Sequence, residues 1–138
     1  MIVLCTVTSS ALSLAAHEEA VSHPTAGAVV SFAGVVRDHD EGRDVTRLVY
    51  EAHPSAASVL EEVAADIAKD PEVIAVAVSH RVGELAVGDI ALAAAVSTAH
   101  RSQAFAACAR LVDTAKARLP IWKHQHFADG TDEWVNSP

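Results

Sequence analysis

The chain has 138 residues, of which 51% are hydrophobic, and a formal net charge of −8. That length and apolar content exclude a disordered segment and suit one domain, residues 1–138, with a core of its own. The acidic balance excludes a general nucleic-acid binder, whose affinity comes from neutralising phosphates.

In chain order, "IVLCTV" predicts a first strand. The segment "MIVLCTVTSS" lacks a charged leader and is too short to span a membrane. "SLAAHEEAVSH" predicts a short helix with Ser13 as N-cap and Pro24 just beyond its end. "GAVVSFAGVVR", Gly27 to Arg37, is strand-like, with Gly34 marking a bulge or a close backbone approach. "DHDEGRD" reads as a polar, mobile loop and "VTRLVYEA" as another strand. "PSAASVLEEVAADIAKD" places Leu60, Val63, Ala64 and Ile67 at helical spacing, with acids on the other side. "EVIAVAVSHRVG" and "DIALAAAVSTA" predict two strands joined by "ELAVG", a turn or hairpin connection. "RSQAFAACARLVDTAKARL" is the strongest helix, stopped by Pro120. The tail "IWKHQHFADGTDEWV" is extended, with an Asp-Gly turn at Asp129–Gly130. Strands interleaved with helices imply an α+β or α/β two-layer domain.

Aromatics are only 4% of the chain, so the core is built from aliphatic side chains. Cys5 and Cys108 have no metal-like spacing, which fits a reducing, cytoplasmic setting and inert core thiols. "HQH" could be a metal pair, but no third ligand accompanies it and no metal is expected.

Positive charge gathers late in this acidic sequence. At 100° per residue, Phe105, Cys108, Val112, Ala115 and Leu119 share one apolar arc. Arg101 falls inside that arc and Lys116 on its edge, whereas Arg110 and Arg118 point away. Two readings fit: Lys116 snorkels and Arg101 merely starts the helix, or both serve a site. His100 and Arg101 stand where a strand ends and a helix begins. Unpaired N–H groups and the helix dipole there suit either an anion or a simple cap. Arg37 ends a strand, a position open to a surface charge or a ligand contact. Only three lysines exist, and two of them are Lys116 and Lys123. A lysine held among cations or partly desolvated is suited to acid/base or nucleophilic work.

In order, "GAVVSFAGVVRDHDEG", "VYEAHP", "SHRVGELAVGD", "STAHRSQAF" and "KARLPIWKHQ" resemble the large (catalytic) subunit of molybdopterin synthase, the MoaE family, from about Gly27 to Val135. The resemblance implies an α/β-hammerhead type α+β fold with an additional small antiparallel β subdomain. It implies a homodimer at the centre of a heterotetramer, with a ubiquitin-like MoaD small subunit at each end. The partner's C-terminal Gly-Gly thiocarboxylate would enter a pocket of the large subunit, and sulfur would pass to cyclic pyranopterin monophosphate, forming the molybdopterin dithiolene. The family's active-site lysines fall on Lys116 and Lys123. Its substrate-binding positions fall on Phe32, Val35, Val36, Arg37, His100, Arg101, His124 and Gln125. No cofactor or metal is implied, and the setting would be cytoplasmic. Two departures stand out. The family commonly has a basic residue where His124 stands, and some members place another shortly after the final "WV", where this chain has Asn136 and Ser137.

The residues also allow a non-catalytic module that binds an anion or a peptide C-terminus, or a degenerate paralogue of the enzyme. The span of the last helix adds a geometric expectation. Arg101 and Lys116 stand fifteen positions apart, about 22 Å along a helix. One small substrate cannot touch both, so a composite site is expected, with Lys116, Lys123 and Arg37 from one subunit and His100 and Arg101 from its two-fold mate.

Overall fold

The computed structural model describes residues 1–135. Asn136 and Ser137, where the family departure falls, lie outside the described residues. The described chain runs β1 (Ile2–Thr8), α1 (Leu14–Ala20), β2 (Ala28–Val35), β3 (His39–Asp40), β4 (Arg43–Ala52), α2 (Ala56–Ala68), β5 (Val73–Arg81), β6 (Gly83–Leu85), β7 (Ile90–Thr98), α3 (Arg101–Arg118), β8 (Ile121–Phe127) and β9 (Asp132–Val135). It is an α+β fold with a four-stranded mixed sheet and a second, five-stranded antiparallel sheet.

The first sheet has the order β1-β5-β7-β2, with β1 parallel to β5 and the other pairs antiparallel. Its centre, β7, is a run of small residues buried along nearly its whole length. Alanines there leave room for helices on both faces. On one face α2 and α3 bury Leu60, Val63, Leu111 and Ala115 against Val76, Val78, Ala94 and Val96. On the other face α1 covers Ala75, Ala77 and Ala95. Ser13 caps α1 through its hydroxyl, which accepts from the Ala16 N–H at 3.1 Å. His17 is the buried polar residue of α1: its Nδ1 donates to the Ser13 carbonyl and its Nε2 accepts from the Ser79 hydroxyl.

The second sheet has the order β3-β4-β8-β9, with β6 also paired to β4. One connection differs from the sequence expectation. "DHDEGRD" is a tight hairpin between β3 and β4, closed by Glu41 and Gly42 at positive φ of 50° and 77°. Two consecutive left-handed residues match the twist of the flanking strands, so the segment pairs instead of wandering. "ELAVG" links the antiparallel β5 and β7 as expected, and β6, which overlaps this connection, also pairs with β4. The connection therefore stitches the two sheets, with Val36, Leu48, Leu85 and Ala91 buried at the seam.

The buried face of α3 is turned from the expected arc. It consists of Ala104, Ala107, Cys108, Leu111, Val112 and Ala115, while Phe105 is 61% exposed. The alanine side bears the contact because small side chains let the helix lie close to β2 and β7. Phe105 is too large for that gap and stands outside it, and Arg101 is exposed at the helix start. Among the described residues no helix is long and apolar enough to cross a membrane.

Candidate functional site

Where the two sheets meet, the backbone leaves a pocket of about 370 Å³. Its walls come from six elements: Gly34 and Val35 of β2 with Arg37 just after it, Tyr50 of β4, His80 of β5, Leu92 of β7, Lys116 of α3, and Lys123 of β8. The register explains the convergence. Tyr50 pairs with Lys123 on one side and Gly83 on the other, so the phenol and the lysine share a face at the seam. The bulge after Gly34 shifts the end of β2 and sends the chain to Arg37 beside them. Lys116 follows the buried Ala115 at the C-terminal end of α3 and projects over the opening.

The pocket is cationic. None of its lining residues is a carboxylate. Lys116 and Lys123 form no ion pair among the described residues, and Arg37 makes only a long contact of 3.4 Å with Asp40. Asp40 is drawn off chiefly by Gln125, whose side-chain amide donates to it at 2.8 Å. That bond, then the charges of Lys123, Arg37 and Arg43, hold the Asp40 carboxyl below the usual range. Gln125 itself is buried. It lines a smaller depression with Val35, Val36, Arg37, Tyr50 and Lys123, continuous with the main pocket through four shared residues.

His80 and Tyr50 were not among the expected site residues. They meet edge to face, ring centres 5.0 Å apart. Burial raises the Tyr50 phenol, which stays protonated and a donor. Burial also lowers His80, an effect opposed by its bond to the Arg81 carbonyl and reinforced by the nearby charge of Lys116. Both residues lie inside stretches that carry the family resemblance, "VYEAHP" and "SHRVGELAVGD", and Tyr50 is the only tyrosine of the chain. That isolation was the available signal.

The remaining expected residues lie elsewhere in this single chain. His100 and Arg101 are exposed at the opposite end of α3, about 22 Å from Lys116 by helical rise. His100 is the N-cap but makes no side-chain capping bond, so the first N–H groups of the helix lack that partner. The backbone is tight here: a Cβ at Gly27 would stand 2.3 Å from the Ala99 carbonyl oxygen, which only glycine avoids. Phe32 borders a shallow apolar depression with Phe105 and Val112, although its ring reaches back toward Gly34. His124 lies on the other face of β8 from Lys123, stacked on Trp134 at 4.2 Å and bonded to Asp132. Neither cysteine is placed as a nucleophile. Burial, with a smaller push from Glu61, raises the Cys5 thiol to about 11, and burial raises Cys108 as well.

Comparison with known proteins bears on this geometry. The family described as "MoaE protein" matches residues 7–118. The molybdopterin synthase catalytic subunit of Nostoc sp. is 41% identical over 132 residues, which span 94% of this chain and 80% of the relative. The crystal structure of molybdopterin synthase from Staphylococcus aureus superposes with a TM-score of 0.86 at 32% identity, covering 95% of this chain and 96% of that one. A chain from the complex of subunits 1 and 2 of the molybdopterin-converting factor of Helicobacter pylori shares the fold, with a TM-score of 0.73 at 19% identity over 99% of this chain and 90% of that one.

Proposed function

The chain belongs to the MoaE family, and from that premise we propose how its pocket works. It is the catalytic subunit of a molybdopterin synthase, a sulfurtransferase of molybdenum cofactor biosynthesis. Its partner is a MoaD-like, ubiquitin-fold small subunit with a C-terminal Gly-Gly thiocarboxylate. The second substrate is cyclic pyranopterin monophosphate. The observation that carries the reading is the pocket itself: three cations from three different places in the fold, without a carboxylate in the lining. Both substrates are anions, and a pocket that gathers cations with no carboxylate in its lining selects anions.

Lys116 at the rim stands beside the acyl carbon of the entering tail, where its amine assists acyl chemistry or proton transfer. Lys123, deeper and half-buried, stabilises the negative charge that develops there. Arg37 contacts the phosphate of the pterin. His100 and Arg101 complete the phosphate contacts from a second copy of the chain, because the length of α3 keeps them from the pocket of their own subunit. Gln125 supports the site from beneath by occupying Asp40, which otherwise would neutralise Arg37.

The test is reconstitution. The protein is mixed with a thiocarboxylated ubiquitin-like partner and cyclic pyranopterin monophosphate, and molybdopterin is assayed. Formation of molybdopterin supports the enzyme. Binding of the partner tail without sulfur transfer would instead indicate a non-catalytic module.

A further inference from the structure

His80 is the one imidazole in the pocket lining, and its surroundings fix its tautomer. Its Nδ1 lies 2.7 Å from the Arg81 carbonyl oxygen. A carbonyl only accepts, so Nδ1 carries the proton, and in the neutral ring Nε2 presents its lone pair. Nε2 has no hydrogen-bond partner among the described residues, yet it is not among the sealed, unpartnered polar atoms, which are Arg81 Nε and Ser97 Oγ. It is therefore open to the pocket. The Tyr50 ring against its edge holds the imidazole in place.

The groups around His80 favour the neutral ring. Within this chain's own lining its charged or titratable neighbours are Arg37, Tyr50, Lys116 and Lys123, and in the composite site proposed above a second copy adds an imidazole and a guanidinium from His100 and Arg101. On the adjoining strands it faces Val7 of β1 and Leu92 of β7. The buried side of α2 offers only Ala56, Leu60, Val63, Ala64 and Ile67. No carboxylate among these groups would hold an imidazolium, and the cations oppose one. A lone pair kept free in a pocket of cations is suited to taking a proton.

We propose that His80 is the proton acceptor for the water that releases the partner's tail after sulfur has bonded to the pterin. The proposal rests on the sulfur-transfer reading above. Once the thiocarboxylate sulfur is bonded to a substrate carbon, tail and substrate are joined by a thioester. Water oxygen attacks the acyl carbon, and a C–O bond forms. The acyl C–S bond breaks, its electron pair leaving on sulfur as the substrate thiolate. His80 Nε2 takes one proton from the water. The new carboxyl group loses the second to solvent, and His80 later does the same. Lys116 cannot serve in its cationic form, because an ammonium has no lone pair.

The test compares wild type with His80→Gln and His80→Phe in the assembled complex, supplied with thiocarboxylated partner and cyclic pyranopterin monophosphate. Partner affinity and thermal midpoint serve as controls for folding. Molybdopterin formation by His80→Gln should fall by about 100-fold. The thioester-linked partner–pterin adduct should accumulate by mass spectrometry, and hydroxylamine, which cleaves thioesters, should release it. Wild type should lose activity as pH falls below the ordinary imidazole range, and both variants should lack that acid limb. If neither variant folds, the wild-type profile decides: an acid limb with trapped thioester below it supports the assignment, and a flat profile overturns it. A folded variant with wild-type turnover, or one slowed without adduct, also overturns it. A wild type that transfers no sulfur overturns the functional reading, and this assignment with it.

Discussion

The two faces of α3 use positive charge in opposite ways. On the side toward α2, Arg118 donates to Glu62 at 2.8 Å and reaches Asp66 at 3.4 Å, and Arg110 donates to Asp70 at 2.9 Å. At the pocket, Lys116 of the same helix has no carboxylate partner among the described residues, and neither has Lys123. A cation left unpaired in a chain of net charge −8 is not there by default. Acids are abundant enough to have supplied partners, and they do so on the neighbouring face. The paired arginines tie α3 to α2 and to the turn after it, and the unpaired lysines are free for the anionic substrates proposed above.

The strongest way to break this contrast is to remove a pocket cation. Lys116→Ala should reduce sulfur transfer by roughly 100-fold or more while partner binding remains measurable, and Lys123→Ala should behave similarly. Lys116→Arg should not restore turnover, because a guanidinium keeps its proton and cannot act as base or nucleophile. Single-turnover molybdopterin formation is the measurement, and unchanged turnover in Lys116→Ala would remove that residue from the mechanism.

Arg37→Ala should weaken binding of the pterin precursor more than binding of the partner. Charge-assisted hydrogen bonds contribute about 1.5–3 kcal/mol, so a loss of roughly 10- to 150-fold in precursor affinity is expected by titration calorimetry. Arg101→Ala should show the same pattern, although Arg101 lies at the far end of α3. Equal precursor affinity in both variants and wild type would refute the phosphate contacts.

Mixing subunits separates a composite site from a single-chain one. With precursor held well below the weakened affinity of Arg101→Ala, Lys116→Ala and Arg101→Ala are each expected to be nearly inactive as homodimers. In a composite arrangement, a heterodimer has one intact pocket and one doubly damaged pocket. Random exchange makes half of the dimers hetero, so about a quarter of wild-type activity should return. A site confined to one chain leaves a lesion in every pocket, and the mixture stays inactive despite exchange confirmed by native mass spectrometry.

The sequence showed most of this fold because periodicity and punctuation were clear. Ser13 capped its helix, Gly34 marked its bulge, and Asp129–Gly130 turned its hairpin as their chemistry demands. Errors arose where tertiary packing outranked pattern. Phe105 scored as core because it is large and apolar, but alanines were the residues that fitted the gap. In the site, Arg37, Lys116 and Lys123 were legible as cations out of place in an acidic chain. Tyr50 and His80 were not, because each reads as an ordinary strand residue until β4 and β5 are brought to the seam. His124 adjoins Lys123 in sequence, yet strand alternation turns it to the opposite face.

The smallest expected effect is also the sharpest test of the contrast, because it reverses sign between the two faces. Arg118→Ala removes two exposed contacts of one guanidinium, with Glu62 and the longer one with Asp66, and such exposed pairing contributes about 1 kcal/mol. Its thermal midpoint should fall by no more than about 4 °C, and the deficit should shrink in high salt, which screens the wild-type pair. Its activity should match wild type, since Arg118 lines no part of the pocket. Lys116→Met should do the reverse. It keeps an apolar stem where lysine had one and removes one of the three cations that line the pocket, of which only Arg37 touches a carboxylate, at 3.4 Å. Relief of that repulsion should leave the midpoint equal to wild type or slightly higher, while sulfur transfer is lost. If Lys116→Met instead destabilised the fold as much as Arg118→Ala does, Lys116 would be a structural cation, and the division between the two faces of α3 would fail.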